Sequence, residues 1–197
     1  MKRSLLALLL GMAMYLGSAQ VHATILRFEA FLDGPSWQPD ATVLTPGTGH
    51  AVVTIDTLAR TMGVHIDFAD LLGNTTASHI HCCTTSPLTG LAGVATTTPT
   101  FAGFPLGVKA GVFDTVLDLT AASSWNPAFV TASGGIAAAE DRLIANMLDD
   151  RTYVVVHSTF RPAGEIRGFL QRVPEPGTLA LLGLGLAGLA ATRRRKA

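Results

Sequence analysis

Between Thr61 and Ala69 the chain alternates without a break: Met62, Val64, Ile66 and Phe68 are apolar, while Gly63, His65, Asp67 and Ala69 are small or polar. Side chains of an extended strand leave alternately from its two faces, so this period of two describes a strand with one buried and one wet face, as in antiparallel sheets. The same rule reads Thr24–Leu32 as a strand with Leu26, Phe28, Ala30 and Leu32 turned inward. Ala51–Thr57 is another, joined to residues 61–69 through Leu58–Arg60 closely enough to make a hairpin. Further strands are expected at Leu91–Ala95, Phe113–Leu119, Tyr153–His157 and Glu165–Gln171. A helix is expected over Gly134–Asp150, capped by Ser133, with Ile136, Leu143, Ile144, Met147 and Leu148 as its apolar stripe. Residues 84–107 form a Thr/Gly/Pro-rich connection, and no internal repeat is present. Many short strands separated by turn-rich connections predict a mainly β fold, an antiparallel β-sandwich or barrel with one helix in a connection.

The two ends do not belong to that fold. Lys2 and Arg3, the apolar run from Ser4 to Leu16 and the small-residue site closing at Ala23 have the layout of a secretory signal peptide over residues 1–23. Pro174 and Pro176 then break regular structure, since each removes a backbone donor and fixes φ. Residues 177–192 carry no charge, and Arg193, Arg194, Arg195 and Lys196 follow. As a helix, that apolar run would be roughly 24 Å long at 1.5 Å per residue, short for a bilayer of ~30 Å unless the arginines snorkel. Residues 173–197 are thus expected to span the membrane once, with the basic cluster in the cytoplasm. The part between, 24–172, is large enough to bury a core without help from a metal or a disulfide. Of the 14 basic residues, two lie in the signal and four in the tail; of the 14 acidic ones, only Glu175 lies outside 24–172. The domain therefore keeps eight basic and 13 acidic side chains, a net −5. Without a basic patch, nucleic acid is excluded as a partner.

Three histidines have suggestive positions. His79 and His81 flank Ile80, so in extended backbone both project from one face about 7 Å apart. His157 closes the Tyr-Val-Val-Val-His run on the same face as Tyr153 and Val155. If these strands are neighbours, three imidazoles can converge on copper or zinc with a coordination position left open. Affinity for the ion would then fall as pH drops through ~6.5, where histidine takes its proton. The alternative is a set of sheet-edge residues hydrogen-bonded to loop carbonyls. His50 and His65 read as surface positions. Glu165 and Arg167 share a strand face, either as a pair clamping the last strand to a loop or with the arginine offered to an anion; Gly168 would admit a close backbone. Cys82 and Cys83, the only cysteines, are open to four readings in an oxidising compartment: a vicinal disulfide, free thiols, an intermolecular bridge, or soft ligands beside the histidines.

Ser78-His79-Ile80-His81, followed downstream by Tyr153–Ser158 and by Pro162-Ala163-Gly164-Glu165-Ile166-Arg167-Gly168-Phe169-Leu170, resembles the CHRD domain, which occurs singly in bacterial secreted proteins. Phe28–Gly34 and the run from Gly47 to Asp56 are similar to its first two strands. The chain departs from that pattern at Pro35 and Pro39, where members often carry a Pro-Pro pair, and at Cys82 and Cys83, where they often carry Gly-Pro. The order of His79, His81, His157 and Arg167 is also similar to the copper ligands and active-site arginine of copper–zinc superoxide dismutase, although neither a bridging histidine nor a zinc loop has a counterpart. That second resemblance implies three copper ligands and an anion-guiding arginine. Residues 173–197, with Pro174-Glu175-Pro176, an apolar run and Arg193–Arg195, resemble a PEP-CTERM sorting signal, with an ordinary membrane anchor as the alternative. This resemblance implies processing by signal peptidase and an exosortase-type enzyme, tethering at the periplasmic side of the inner membrane, and release to the cell surface or extracellular polysaccharide.

No G-x-S-x-G, H-E-x-x-H or phosphate-loop motif is present, and no nucleophile, base and acid assemble into a set. The expected function is therefore non-enzymatic: an exported binding or matrix module of the envelope. A metal-binding protein built on His79, His81 and His157 is the alternative, with dismutase-like chemistry its furthest extension.

Overall fold

The computed structural model of the protein describes residues 25–36 and 44–174. The expected signal peptide and the sorting tail beyond Pro174 lie outside these residues. Eight strands follow one another as β1 (Ile25–Asp33), β2 (Thr48–Asp56), β3 (Thr61–Ala69), β4 (Thr75–Cys82), β5 (Gly111–Asp118), β6 (Thr152–Ser158), β7 (Ile166–Phe169) and β8 (Gln171–Arg172). They form one antiparallel sheet in the order β4-β6-β7-β1-β2-β3-β5, with β8 also on β1, and the sheet curls into a half-barrel.

The expected alternation is what buries the core. Leu26, Phe28, Ala30 and Leu32 of β1, Ala51, Val53 and Ile55 of β2, and Met62, Val64, Ile66 and Phe68 of β3 all point into it. A side chain of this kind stabilises the fold by roughly 1.5–3 kcal/mol when fully buried. The expected β2–β3 hairpin forms, its register running from Thr48 opposite Ala69 to Asp56 opposite Thr61.

The helical region differs from expectation. Two helices stand in place of one: α1 (Pro127–Ser133) and α2 (Ile136–Leu148). Ser133 ends the first rather than capping the second. Asn126 is the true cap, accepting from the Ala128 amide ahead of Pro127, and Gly134 closes α1 at φ 93°, a left-handed conformation that favours glycine. Phe129 of α1 and Ala139, Leu143 and Met147 of α2 join the sheet's core.

Two strand predictions are also corrected. Leu91–Ala95 is no strand; only Val94 makes an isolated bridge, to His81. Glu165–Gln171 divides into β7 and β8, because Leu170 turns into the core and sends its amide to the Thr152 carbonyl.

The long connection from residue 83 to 110 carries the chain from β4, at one end of the sheet, to β5 at the other. On the way it hydrogen-bonds along the outer edge of β4: Cys82 N donates to Gly93 O, Ala95 N to Ile80 O, and Phe101 N to Ser78 O. That contact brings the connection's carbonyls beside the histidine face.

Candidate metal centre

β4 and β6 are neighbours, paired so that His79 faces Val155, His81 faces Tyr153 and Ala77 faces His157. Along β4 the side chains alternate. Ile80 goes into the main core together with Val154 and Val156 of β6, while His79 and His81 leave from the other face with Tyr153, Val155 and His157. One alternating β4 strand and one alternating β6 strand thus suffice to bring three imidazoles together. Their ring centroids lie 5.1 Å (His79–His157), 5.8 Å (His79–His81) and 5.9 Å (His81–His157) apart. One nitrogen from each ring falls within 4.8 Å of the other two. Nitrogens bound to a single ion at about 2 Å lie about 3–4 Å from one another, so small rotations of the rings would complete a site.

The other three nitrogens are committed to backbone carbonyls. His79 Nε2 donates to Pro99 O, His81 Nδ1 to Ala92 O at 2.9 Å, and His157 Nδ1 to Pro162 O at 2.9 Å. A carbonyl only accepts, so each of these nitrogens carries the proton and the tautomers follow. The lone pairs of the neutral rings are then on His79 Nδ1, His81 Nε2 and His157 Nε2. His79 Nδ1 and His157 Nε2 face each other at 3.2 Å. His81 Nε2 is buried with no hydrogen-bond partner. Lone pairs directed at one another inside a protein are unfavourable without a cation among them, and a buried polar atom without a partner calls for an explanation. A proton is a poor candidate. Burial lowers the pKa of all three histidines, and pushes His81 to about 4, against the opposing effect of each ring's carbonyl bond. A metal ion satisfies all three atoms at once, and histidine ligands with the second ring nitrogen held by a carbonyl are the usual arrangement around one.

Around this cluster the remaining predicted residues take different places. The carboxylate of Glu165 is fully buried, accepting from Thr45 Oγ1, from Ser158 Oγ and from the amides of Leu72 (2.6 Å) and Gly73 (3.1 Å). Burial works to raise its pKa, but the bonds from Ser158, Thr45, Leu72 and Gly73 outweigh it and hold the group below the usual value. Arg167 goes elsewhere. Its guanidinium lies 4.4 Å from the Tyr153 ring centre and 4.8 Å from that of Phe169, and Nη1 donates to Gly90 O at 3.1 Å. The expected Glu165–Arg167 clamp is thus corrected: the carboxylate secures the 72–73 loop, and the guanidinium the 90 loop. As a fully buried side chain, Arg167 has no surface to offer an arriving anion, so the anion-facing alternative is also corrected. Cys82 and Cys83 are joined in a disulfide, and Cys82 lies on the main-core side of β4, away from the histidines. That removes them as metal ligands.

His65 binds Asp114 on the exposed outer face at 2.7 Å, and His50 sits there between Glu29 and Asp67. What sequence reasoning missed is the carbonyl set of Ala92, Pro99 and Pro162, and the part Tyr153 plays beside them. Backbone acceptors leave no mark on residue type; the four-residue spacing of Tyr153 and His157 on one strand was the available signal.

The CHRD domain family model matches residues 28–170, and that of the PEP-CTERM protein-sorting motif matches residues 172–196. The first match covers β2 to β7 entirely and β1 from Phe28 onward, leaves out β8, and includes all three histidines. No curated protein and no solved structure matches the chain. Among the described residues no helix is long and apolar enough to cross a membrane; the predicted span at 177–192 lies outside them.

Proposed function

Because the chain belongs to the CHRD-domain family and carries a PEP-CTERM sorting motif, which marks an exported protein sorted to the envelope, we propose that it is a metal-binding module of the cell envelope. His79, His81 and His157 would hold a single copper or zinc ion. The observation that carries this reading is the facing of three lone pairs, fixed by three carbonyl-bound tautomers, with His81 Nε2 left without any partner. Imidazole suits both ions. Three protein ligands leave a position for water or a small ligand, which in bound copper or zinc supplies Lewis acidity. The chain's own residues supply orientation and dryness: the loop carbonyls fix the rings, and Tyr153 and Val155 wall the site from below. The role proposed is binding rather than turnover. The geometry supports it over a matrix ligand, for which no equally specific arrangement stands out among the described residues.

Elemental analysis of the purified protein after equilibration with copper or zinc, and removal of loosely held ion, is the test. About one equivalent is expected, and the triple variant H79A/H81A/H157A should lose it while keeping the β-rich circular dichroism of the wild type. A wild type without stoichiometric metal, or a triple variant that retains it, overturns the reading.

A further inference from the structure

Tyr153 stands out among the residues that surround the histidines. Its ring is stacked on His81, with centroids 4.9 Å apart and planes at 13°. β6 lies between β4 and β7, so His81 reaches the ring from one flank and Arg167 reaches it from the other, at 4.4 Å. The Tyr153 hydroxyl is buried against one residue of the long connection. It accepts from the Ala92 amide at 2.9 Å and donates to the Ala92 carbonyl at 3.1 Å. That carbonyl is the one that takes the His81 Nδ1 proton. Two residues earlier, Gly90 O accepts from Arg167 Nη1.

The arrangement is more than packing. A buried aromatic ring needs only area, and Phe would provide it at this position. The hydroxyl adds two hydrogen bonds, both to the residue whose carbonyl sets the tautomer of His81. A tyrosine that loses its hydroxyl would leave the Ala92 amide without its partner, and the loop would have reason to shift by the fraction of an ångström that a metal ligand cannot tolerate. His79 and His157 have carbonyl acceptors too, but Ala92 is the one gripped by a sheet side chain on both its amide and its oxygen among the described residues.

We infer that Tyr153 is a positioning residue: with Arg167 stacked behind it, it fixes the Ala92 carbonyl and so the tautomer and the ring plane of His81, turning Nε2 toward His79 and His157. This deepens the metal reading above and rests on it for its consequence, though not for its geometry.

The test uses Tyr153→Phe in the full chain, with two readouts. In metal-free protein at pH 7.5, ring 15N chemical shifts should show His81 protonated at Nδ1 in the wild type and a mixture of tautomers in the variant. With copper(II), the variant should bind about tenfold more weakly, within the 10–100-fold range for lost outer-shell partners, with an altered electron paramagnetic resonance spectrum. A residue of purely structural importance would lower the melting temperature and move neither readout. Unchanged tautomer and copper spectrum in a folded variant overturn the inference. A wild type that takes up no copper ends the metal reading; the tautomer readout then decides alone whether Tyr153 positions His81. Should Tyr153→Phe fail to fold, Arg167→Lys, which keeps the charge and loses the planar stack, is measured by the same two readouts and must move them in the same direction.

Discussion

His81 is constrained from three sides: by strand alternation, by the stacked Tyr153 ring and by the Ala92 carbonyl. Its pKa, depressed to about 4, and the downward shifts of His79 and His157 have one main cause in common, the burial of a group whose charged form wants water. The pH consequence has a definite sign. Above the ordinary histidine value of ~6.5 both folded and unfolded chains hold these rings neutral, and the histidines contribute nothing to pH dependence. Below it the unfolded chain takes up protons that the folded one resists, so the metal-free protein should lose stability as pH falls from 6.5 toward 4, by up to about 3 kcal/mol from His81 alone. Urea midpoints at pH 7.5, 5.5 and 4.5 measure it, and a flat profile would contradict the burial. The same burial keeps the lone pairs available in mild acid, so metal release is expected at a lower pH than the ~6.5 of free histidine. Position and face of these three residues were legible in the chain, since S-H-I-H and a terminal histidine on an alternating strand need only a period of two. Their tautomers were not, because the acceptors are backbone atoms of residues 92, 99 and 162, distant in sequence and indifferent to side-chain type.

The elements show where pattern and context part. The long β1, β2 and β3 strands repeat the two-residue period for long enough to be read directly, and their burial alternates as expected. Short β7 is held by a different device. A Cβ on Gly168 would lie 2.1 Å from the Phe31 carbonyl oxygen, with the Ala30 side chain at 3.2 Å, so the last strands and β1 approach closer than any other residue allows. Backbone cannot give way as a flexible side chain can. Gly168→Ala should therefore destabilise the fold by about 3 kcal/mol, while Gly93→Ala, where a new Cβ meets nothing within 4 Å, should be close to neutral. Thermal or urea denaturation of both variants checks the contrast; equal midpoints would mean the two strands are further apart than described. The boundary between α1 and α2 was misread for a related reason. Ser133-Gly134-Gly135 has the composition of a helix start, but only the chain's direction through Gly134 tells that it is an ending. Asn126 followed by Pro127 was the start signal, and it lay in a stretch without apolar periodicity. Residues 84–107 were legible as a connection, but their docking along β4 was not, because backbone and not an alternating set of side chains makes that contact.

At the level of the whole molecule, the half-barrel and the sorting motif answer separate questions. The folded domain holds a −5 charge and a histidine cluster, and the tail determines where it is delivered. Removing Arg193–Lys196 should abolish the basic stop that follows the apolar run, reducing retention and processing of the exported chain. Cell fractionation with mass analysis of the mature form reads this out, and a truncated protein that fractionates and matures as the wild type does would sink the sorting role of the cluster. Length, charge and periodicity were enough to determine a mainly β antiparallel domain, and residue order was enough for the family and for the sorting motif that follows it, because these are properties of neighbours along the chain. Strand order was decided only in three dimensions: β4 beside β6, separated by about seventy residues, is a choice that hydrophobic burial makes for the sheet as a whole. The separate duties of Glu165 and Arg167, and the three carbonyls that aim the imidazoles, follow from that choice. Side-chain chemistry proposes partners, but only packing brings the chosen atoms within hydrogen-bond reach.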